Sequence, residues 1–219
     1  MKQFVVIGLG RFGTSVATEL YKMGHEVLAV DSHMDVVEDL ADQVTHAVCA
    51  DATDEAELRA LGIENFDVAV VSIGTDLQAS ILVTMLCKEM GVKFVLTKAS
   101  TDMHAKVLTR VGADKIVFPE REMGERVAHN LVSTNLLEFI ELSPDYSLVE
   151  IEVPRAWVAA SMKELNLRVN YGINVMAIRH PDGSITVAPQ GADILQSKDV
   201  LVAIGANSSI KGLERLAGK

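Results

Sequence analysis

Phe4-Val5-Val6-Ile7-Gly8-Leu9-Gly10-Arg11-Phe12-Gly13 runs an apolar, largely β-branched segment into three glycines spaced Gly-x-Gly-x-x-Gly. The helix-compatible stretch Ser15 to Met23 follows, and Gly24 supplies a stop. A strand that turns tightly and re-enters as a helix aims the free N–H groups of the helix start at one point, which is a cradle for phosphate. Gly8 allows the turn, Gly10 the approach of backbone to a pyrophosphate, and Gly13 the close packing of helix on strand. Arg11 adds a fixed positive charge among them. The spacing alone is a weak signal; its flanking strand and helix give it weight. Glu26 to Asp31 is a second strand ending in an acid about twenty residues beyond the glycines, where the diol of an unphosphorylated ribose is gripped. The plainer alternative is a glycine-rich turn beside an ordinary strand-end aspartate.

Outward from this unit the alternation continues. Ser32 to Asp35 reads as a capping box opening a helix through Ala41, and Ala47 to Ala50 as a third strand. Asp54 and Glu57 cap a helix that Gly62 ends. Val68 to Ile73 is a continuous apolar run, expected of a strand covered on both faces. Gly74 turns the chain into a helix capped from Thr75, Asp76 and Gln78 and closed at Gly91. Phe94 to Thr97, a helix from Asp102 to Val111, and Lys115 to Phe118 complete the pattern. The expectation is an α/β fold with a doubly wound parallel Rossmann sheet over residues 1–118.

Pro119 opens a long crossover helix, through about Leu136, with Met123, Val127 and Leu131 along one side; its apolar face suits either another lobe or subunit, or its own sheet. Residues 119–143 are read as this helix and a linker, marked by Ser143-Pro144-Asp145. Residues 144–219 are read as a smaller α+β domain. Val149 to Val153 alternates as a half-exposed strand, Ser161 with Glu164 caps a short helix, Ile173 to Ile178 is a strand, and Pro181-Asp182-Gly183 turns into Ser184 to Val187. Asp199 to Gly205 is the last strand, before a terminal helix.

With 49% hydrophobic residues among 219, the chain can bury one large or two small cores. Its net charge of -10 argues against nucleic acid or an anionic membrane as a broad-surface partner. No signal-peptide pattern and no membrane-spanning apolar run are legible, so direct membrane insertion is not expected. Cys49 and Cys87 lack metal-ligand spacing and suit small buried thiols in a reducing cytoplasm.

Taken together, Gly8 to Gly13, Asp31, Asp51-Ala52-Thr53, Ile73-Gly74, Gln78-Ala79-Ser80, Lys98-Ala99, Gly112-Ala113-Asp114 and Pro119-Glu120-Arg121 resemble the RCK (KTN) family of cytosolic regulatory subunits of bacterial Ktr-type potassium transporters, to which the Trk regulator is related. The resemblance runs on through Ser147 to Glu150, Leu167-Arg168, Tyr171 to Asn174 and Asp199 to Gly205, covering essentially the whole chain. It implies a nucleotide-sensing gate rather than an enzyme. ATP or ADP would occupy the Rossmann crevice, and homodimers would assemble into a ring, an octamer in the family. That ring would act on an integral-membrane potassium-translocating subunit from the cytoplasmic side.

Residue by residue, the resemblance assigns Gly8, Gly10, Phe12 and Gly13 to the phosphate loop and Asp31 to the ribose. Asp51 goes to the adenosine end, Ala52, Thr53, Ile73 and Gly74 to the nucleotide site, and Lys98 to a phosphate or to solvent. Arg11 would meet the terminal phosphate of a neighbouring subunit's nucleotide, or else lie in solvent. Glu120 would bind a divalent cation, Mg2+ or Ca2+, with ATP, or serve only the dipole of its helix. In the smaller domain the resemblance implies cyclic di-AMP, with Arg168 and Asn174 as polar contacts and Leu165, Val175 and Pro189 as apolar ones. His180 is a weaker contact, and an ordinary dimerisation lobe is the alternative. Asn166 departs from the Asp that relatives often carry there.

An NAD(H)-dependent dehydrogenase or redox sensor is the rival class, because the same glycines and acid serve it equally well. Such an enzyme needs an acid or base at the nicotinamide, and His25, His33, His46, His104 and His129 sit poorly for that task.

Overall fold

The structure, a computed structural model, describes residues 1–132 and 136–217. The chain divides after Pro119 into two compact units.

In the first unit six strands form one parallel sheet: β1 (Gln3–Ile7), β2 (Glu26–Asp31), β3 (His46–Cys49), β4 (Val68–Val71), β5 (Phe94–Lys98) and β6 (Lys115–Val117). Their order is β3-β2-β1-β4-β5-β6, the doubly wound dinucleotide-binding order, which reverses direction between β1 and β4. The helices between them are α1 (Arg11–Lys22), α2 (Met34–Leu40), α3 (Glu55–Ala60), α4 (Leu77–Glu89) and α5 (Asp102–Arg110). Both faces of the sheet are covered. Val5 and Ile7 of β1 pack with Leu58 of α3 and Val83 of α4, while Val6 packs with Ala17 of α1 and Leu40 of α2. This two-sided burial explains why the central strands read as unbroken apolar runs; each such side chain contributes about 1.5–3 kcal/mol on leaving water.

Helix starts depart in detail from expectation. Ser32 caps nothing: His33 is the residue before α2 and makes no side-chain cap, and the helix ends at Leu40 before a 3-10 turn. Of the residues expected to cap α4, Asp76 does so, its carboxylate accepting the Ala79 N–H at 2.9 Å. Asp54 caps α3 as expected, but Glu57 reaches back and accepts the Asp51 N–H at 2.6 Å.

The second unit contains α6 (Pro119–Val132) from its second residue on, β7 (Leu136–Ser143), β8 (Tyr146–Glu152), α7 (Met162–Leu165), α8 (Leu167–Tyr171), β9 (Ile173–Arg179), β10 (Ile185–Val187), β11 (Val200–Ala206) and α9 (Asn207–Ala217). Its antiparallel sheet has the order β10-β9-β11-β8-β7. Val149, Ile151, Leu201 and Ala203 face Trp157, Leu167, Ile210 and Leu213 across one core. The capping box of Ser161 and Glu164 forms as expected. The end of the long helix and the linker are corrected. α6 is described through Val132, the expected continuation over residues 133–135 lies outside the described ones, and residues 136–143 are the edge strand β7. Pro144-Asp145, read as a linker, is the two-residue turn of a hairpin, since Ser143 pairs with Tyr146. Met123, Val127 and Leu131 of α6 are exposed.

Candidate nucleotide-binding site

The carboxyl ends of β1 and β4 flank the point where strand order reverses, which in open α/β sheets is where ligands bind. Gly8 leaves β1 with φ +90°, and a Cβ there would come within 3.0 Å of the Ile73 nitrogen, so only glycine both adopts this turn and fits against the β4–α4 loop. Gly13 packs so closely that a Cβ would strike the Gly8 carbonyl and the Ser72 hydroxyl. That hydroxyl donates to the Gly8 oxygen and, at 3.2 Å, to the Ile7 oxygen, bracing the loop from β4. A Cβ on Gly10 would meet open space. Gly10 precedes α1, which starts without a side-chain cap or an acidic residue in its first turn, so its amides are suited to an anion.

Asp31 is placed at the mouth of this loop by the parallel pairing of β1 and β2. Its Oδ2 accepts the Leu9 N–H at 2.6 Å, its Oδ1 accepts the His33 N–H at 3.0 Å, and His33 Nδ1 lies 2.9 Å from the same Oδ1. Burial opposes ionisation of this carboxyl, but the hydrogen bonds from Leu9 and His33 outweigh it and hold the group below its ordinary range. His33 is drawn above its ordinary value by its hydrogen bond to Asp31 and that group's charge. Sequence reasoning had set His33 aside, and no local signal links it to Asp31.

At the end of β3, Asp51 Oδ1 accepts from the Thr53 N–H at 2.9 Å and the Thr53 hydroxyl at 2.7 Å. These bonds close a turn, bury Ala52, and lower the Asp51 carboxyl below its usual value. On the other side of the reversal, Lys98 ends β5 and its Nζ lies 3.2 Å from where a Gly74 Cβ would sit, so the ammonium rests on the β4–α4 loop. Gly8, Gly10, Gly13, Asp31, Ile73, Gly74 and Lys98 are thus gathered at one sheet edge, and Asp51 follows at the end of β3. Phe12 is half-buried in the first turn of α1. Arg11 is exposed and lines a groove between α1 and α2 with Asp39 and Gln43.

Glu120 is exposed in the first turn of α6, in the second unit. Among the described residues no group of three or more His, Cys, Asp or Glu could hold a metal ion.

The residues assigned to the smaller domain's ligand are distributed over α7, α8, β9 and the segment after β10. Arg168 and Asn174 are exposed, and Leu165, Val175 and Pro189 are half-buried. Asn166 joins α7 to α8 with φ +42°, a left-handed conformation that Asn tolerates better than most residues. Both ring nitrogens of His180 are engaged within the lobe, Nδ1 2.9 Å from Asp199 Oδ1 and Nε2 3.0 Å from Thr186 Oγ1.

Comparison with known proteins agrees with this division. The TrkA-N domain family matches residues 4–119 and the TrkA-C domain family residues 148–218. The chain is 46% identical to Ktr system potassium uptake protein A of Bacillus subtilis (strain 168), over 97% of this chain and 96% of that protein. It is 44% identical to Ktr system potassium uptake protein C of the same organism, over 98% and 96%. Among solved structures, the GsuK RCK domain superposes with a TM-score of 0.70 at 19% identity; all of this chain is covered, and it spans 48% of that longer chain. That likeness is one of fold. The glycine cradle tied to a strand-end acid, the TrkA-N and TrkA-C match and the full-length identity converge: the chain belongs to the Ktr family of potassium-uptake proteins A and C.

Proposed function

We propose that this regulatory subunit of Ktr potassium uptake binds ATP or ADP at the β1/β4 edge and reports which of the two is bound through the geometry of a homo-oligomeric ring. The observation that carries the reading is the lock between Asp31 and the Leu9 N–H, which holds a ribose-binding acid against a phosphate-binding loop. A carboxylate there suits an unphosphorylated ribose and repels a 2′-phosphate. The relatives are potassium-uptake proteins, so the shared Rossmann frame here serves regulation rather than an enzyme's catalysis.

Arg11 supplies the readout. ATP carries more negative charge at its γ end than ADP, and a guanidinium at a subunit boundary is drawn more strongly toward it. A ligand shifts an equilibrium between ring shapes only by its difference in affinity for them, and a contact to one phosphate provides that difference. The exposed apolar side of α6, with Met123, Val127 and Leu131, suits the homodimer contact. Among the described residues no helix is long and apolar enough to cross a membrane. The membrane-embedded potassium-translocating subunit is the assigned partner, met at the cytoplasmic face. A divalent cation at Glu120 would draw its remaining ligands from phosphate oxygens or a second copy.

In the second unit, cyclic di-AMP is the assigned ligand. Arg168 offers a fork for a phosphate, Asn174 a polar edge, and Leu165, Val175 and Pro189 apolar surface for an adenine. His180 can contribute its ring face, its nitrogens being engaged.

Calorimetric titration of the full chain with ATP, ADP, NADH and cyclic di-AMP, with mass followed by light scattering, tests the reading. Binding of ATP and ADP by an oligomer is expected. Binding of NADH with neither ATP nor ADP would overturn it in favour of a redox sensor.

A further inference from the structure

In the first unit Ser80, Thr84 and Thr97 are 0% exposed and His104 is 1% exposed; Thr84 donates to the Ser80 carbonyl at 2.7 Å. Ser80 Oγ, Thr97 Oγ1 and His104 Nε2 find no hydrogen-bond partner among the described residues. Buried groups of this kind are costly to leave unpaired, and in native proteins internal water satisfies them.

Helix and strand geometry sets the three at one level near the carboxyl edge of the sheet. Val95 of β5 packs with Val83 and Cys87 of α4, and Thr97 lies two residues further along the same face of the strand, about 6.6 Å on. Ser80 precedes Val83 by three residues, about 4.5 Å toward the start of α4 and therefore toward the carboxyl edge, as Thr97 is displaced from Val95. α4 and α5 both run back from that edge. Lys88 Cγ lies 3.2 Å from where a Gly112 Cβ would be, and Lys88 Nζ donates to Asp114 at 2.9 Å, so the two helix ends are in register. Eight residues before Lys88 stands Ser80, and eight before Gly112 stands His104.

The chemistry then selects the occupant. Ser100 N–H donates to His104 Nδ1 at 3.4 Å, which leaves the hydrogen of the neutral ring on Nε2. Burial keeps that ring below its ordinary pKa. An Nε2–H pointing inward excludes a cation, and Lys98, the next residue after Thr97, faces the other side of the sheet. A water oxygen accepts from Nε2–H while its hydrogens go to the two hydroxyl oxygens, three bonds in all, the usual number for an internal water.

We propose that the first unit binds one internal water molecule between Ser80 of α4, Thr97 of β5 and His104 of α5, and that this water ties both helix starts to the sheet edge that carries Lys98.

The sign of two conservative substitutions tests this independently of any nucleotide. If the hydroxyls were orphans in a dry interior, Thr97→Val and Ser80→Ala would raise Tm, because each removes an unpaired buried group. With the water bound, each leaves it a partner short, and Tm falls by about 2–4 °C in each single variant. The double variant falls by less than the sum, since the water is already weakened by the first change. In the unaltered full chain, NMR should show a water cross-peak to the His104 Hε2 proton. An unchanged or raised Tm in either single variant, strictly additive losses, or a His104 Hε2 proton with no water cross-peak would overturn the proposal.

Discussion

Asp31 Oδ2 accepts the N–H of Leu9 at 2.6 Å, so the acid that ends β2 is fastened to the glycine loop that ends β1. In the proposed reading this bond makes the ribose-binding and phosphate-binding halves of the site one pre-organised unit. Asp31→Asn keeps the size, removes the charge and replaces one of the two accepting oxygens with a donor. Adenine-nucleotide affinity should fall by roughly 10- to 100-fold, the loss of about 1.4–2.8 kcal/mol. Calorimetry with ADP checks it, and unchanged affinity would place the ribose elsewhere.

The same carboxylate predicts two opposite pH dependences. Asp31 lies below its ordinary 3.8 in the fold, so its stabilising bonds are intact above that value and are lost as pH falls through the folded value. His33 lies above its ordinary 6.5, so its bond contributes fully below 6.5 and fades as pH rises through the folded value. NMR titration should find His33 above 6.5 in the unaltered chain and moved back toward 6.5 in Asp31→Asn.

Gly13 and Gly10 should separate folding from binding. Gly13→Ala drives a methyl into the Gly8 carbonyl and Ser72, destabilising the first unit by about 1–3 kcal/mol. Gly10→Ala meets nothing in the chain, so Tm should hold while nucleotide affinity drops. Thermal melts beside titrations distinguish the two, and equal melting losses would refute the assignment of Gly10 to the ligand.

Arg11 is an exposed first-turn residue, so Arg11→Ala should change stability by less than about 0.5 kcal/mol. Its effect should be on discrimination, with the ratio of ATP to ADP affinity moving toward one. A ratio that survives the substitution would free Arg11 of the sensing role.

Asp199, fully buried, receives His180 Nδ1 at 2.9 Å and the Gln196 N–H at 2.8 Å. Asp199→Ala strands both partners and should cost the second unit about 2–5 kcal/mol while leaving ATP binding to the first intact. Chemical denaturation followed at Trp157, with nucleotide titration alongside, reads the two effects separately.

The alternation of strand and helix in residues 1–118 was legible because its causes are local: glycine at left-handed turns, β-branched residues in strands buried on both faces, and caps at helix starts. The glycine cradle and Asp31 were legible for the same reason. β7 was not, since Leu136 to Ser143 becomes a strand only by pairing with β8 across a turn whose Pro-Asp reads equally as a linker. Asp76 rather than Thr75 caps α4 through the path of one loop. The clamp of Asp31 on Leu9, the ammonium of Lys98 over Gly74, and the tie of Lys88 to Asp114 join residues far apart in the chain. The amino-acid order by itself determined the element types and the glycine turn after β1, because propensity and turn chemistry act over a few residues. Strand register and helix alignment decided which side chains meet, because those depend on how separate segments pack.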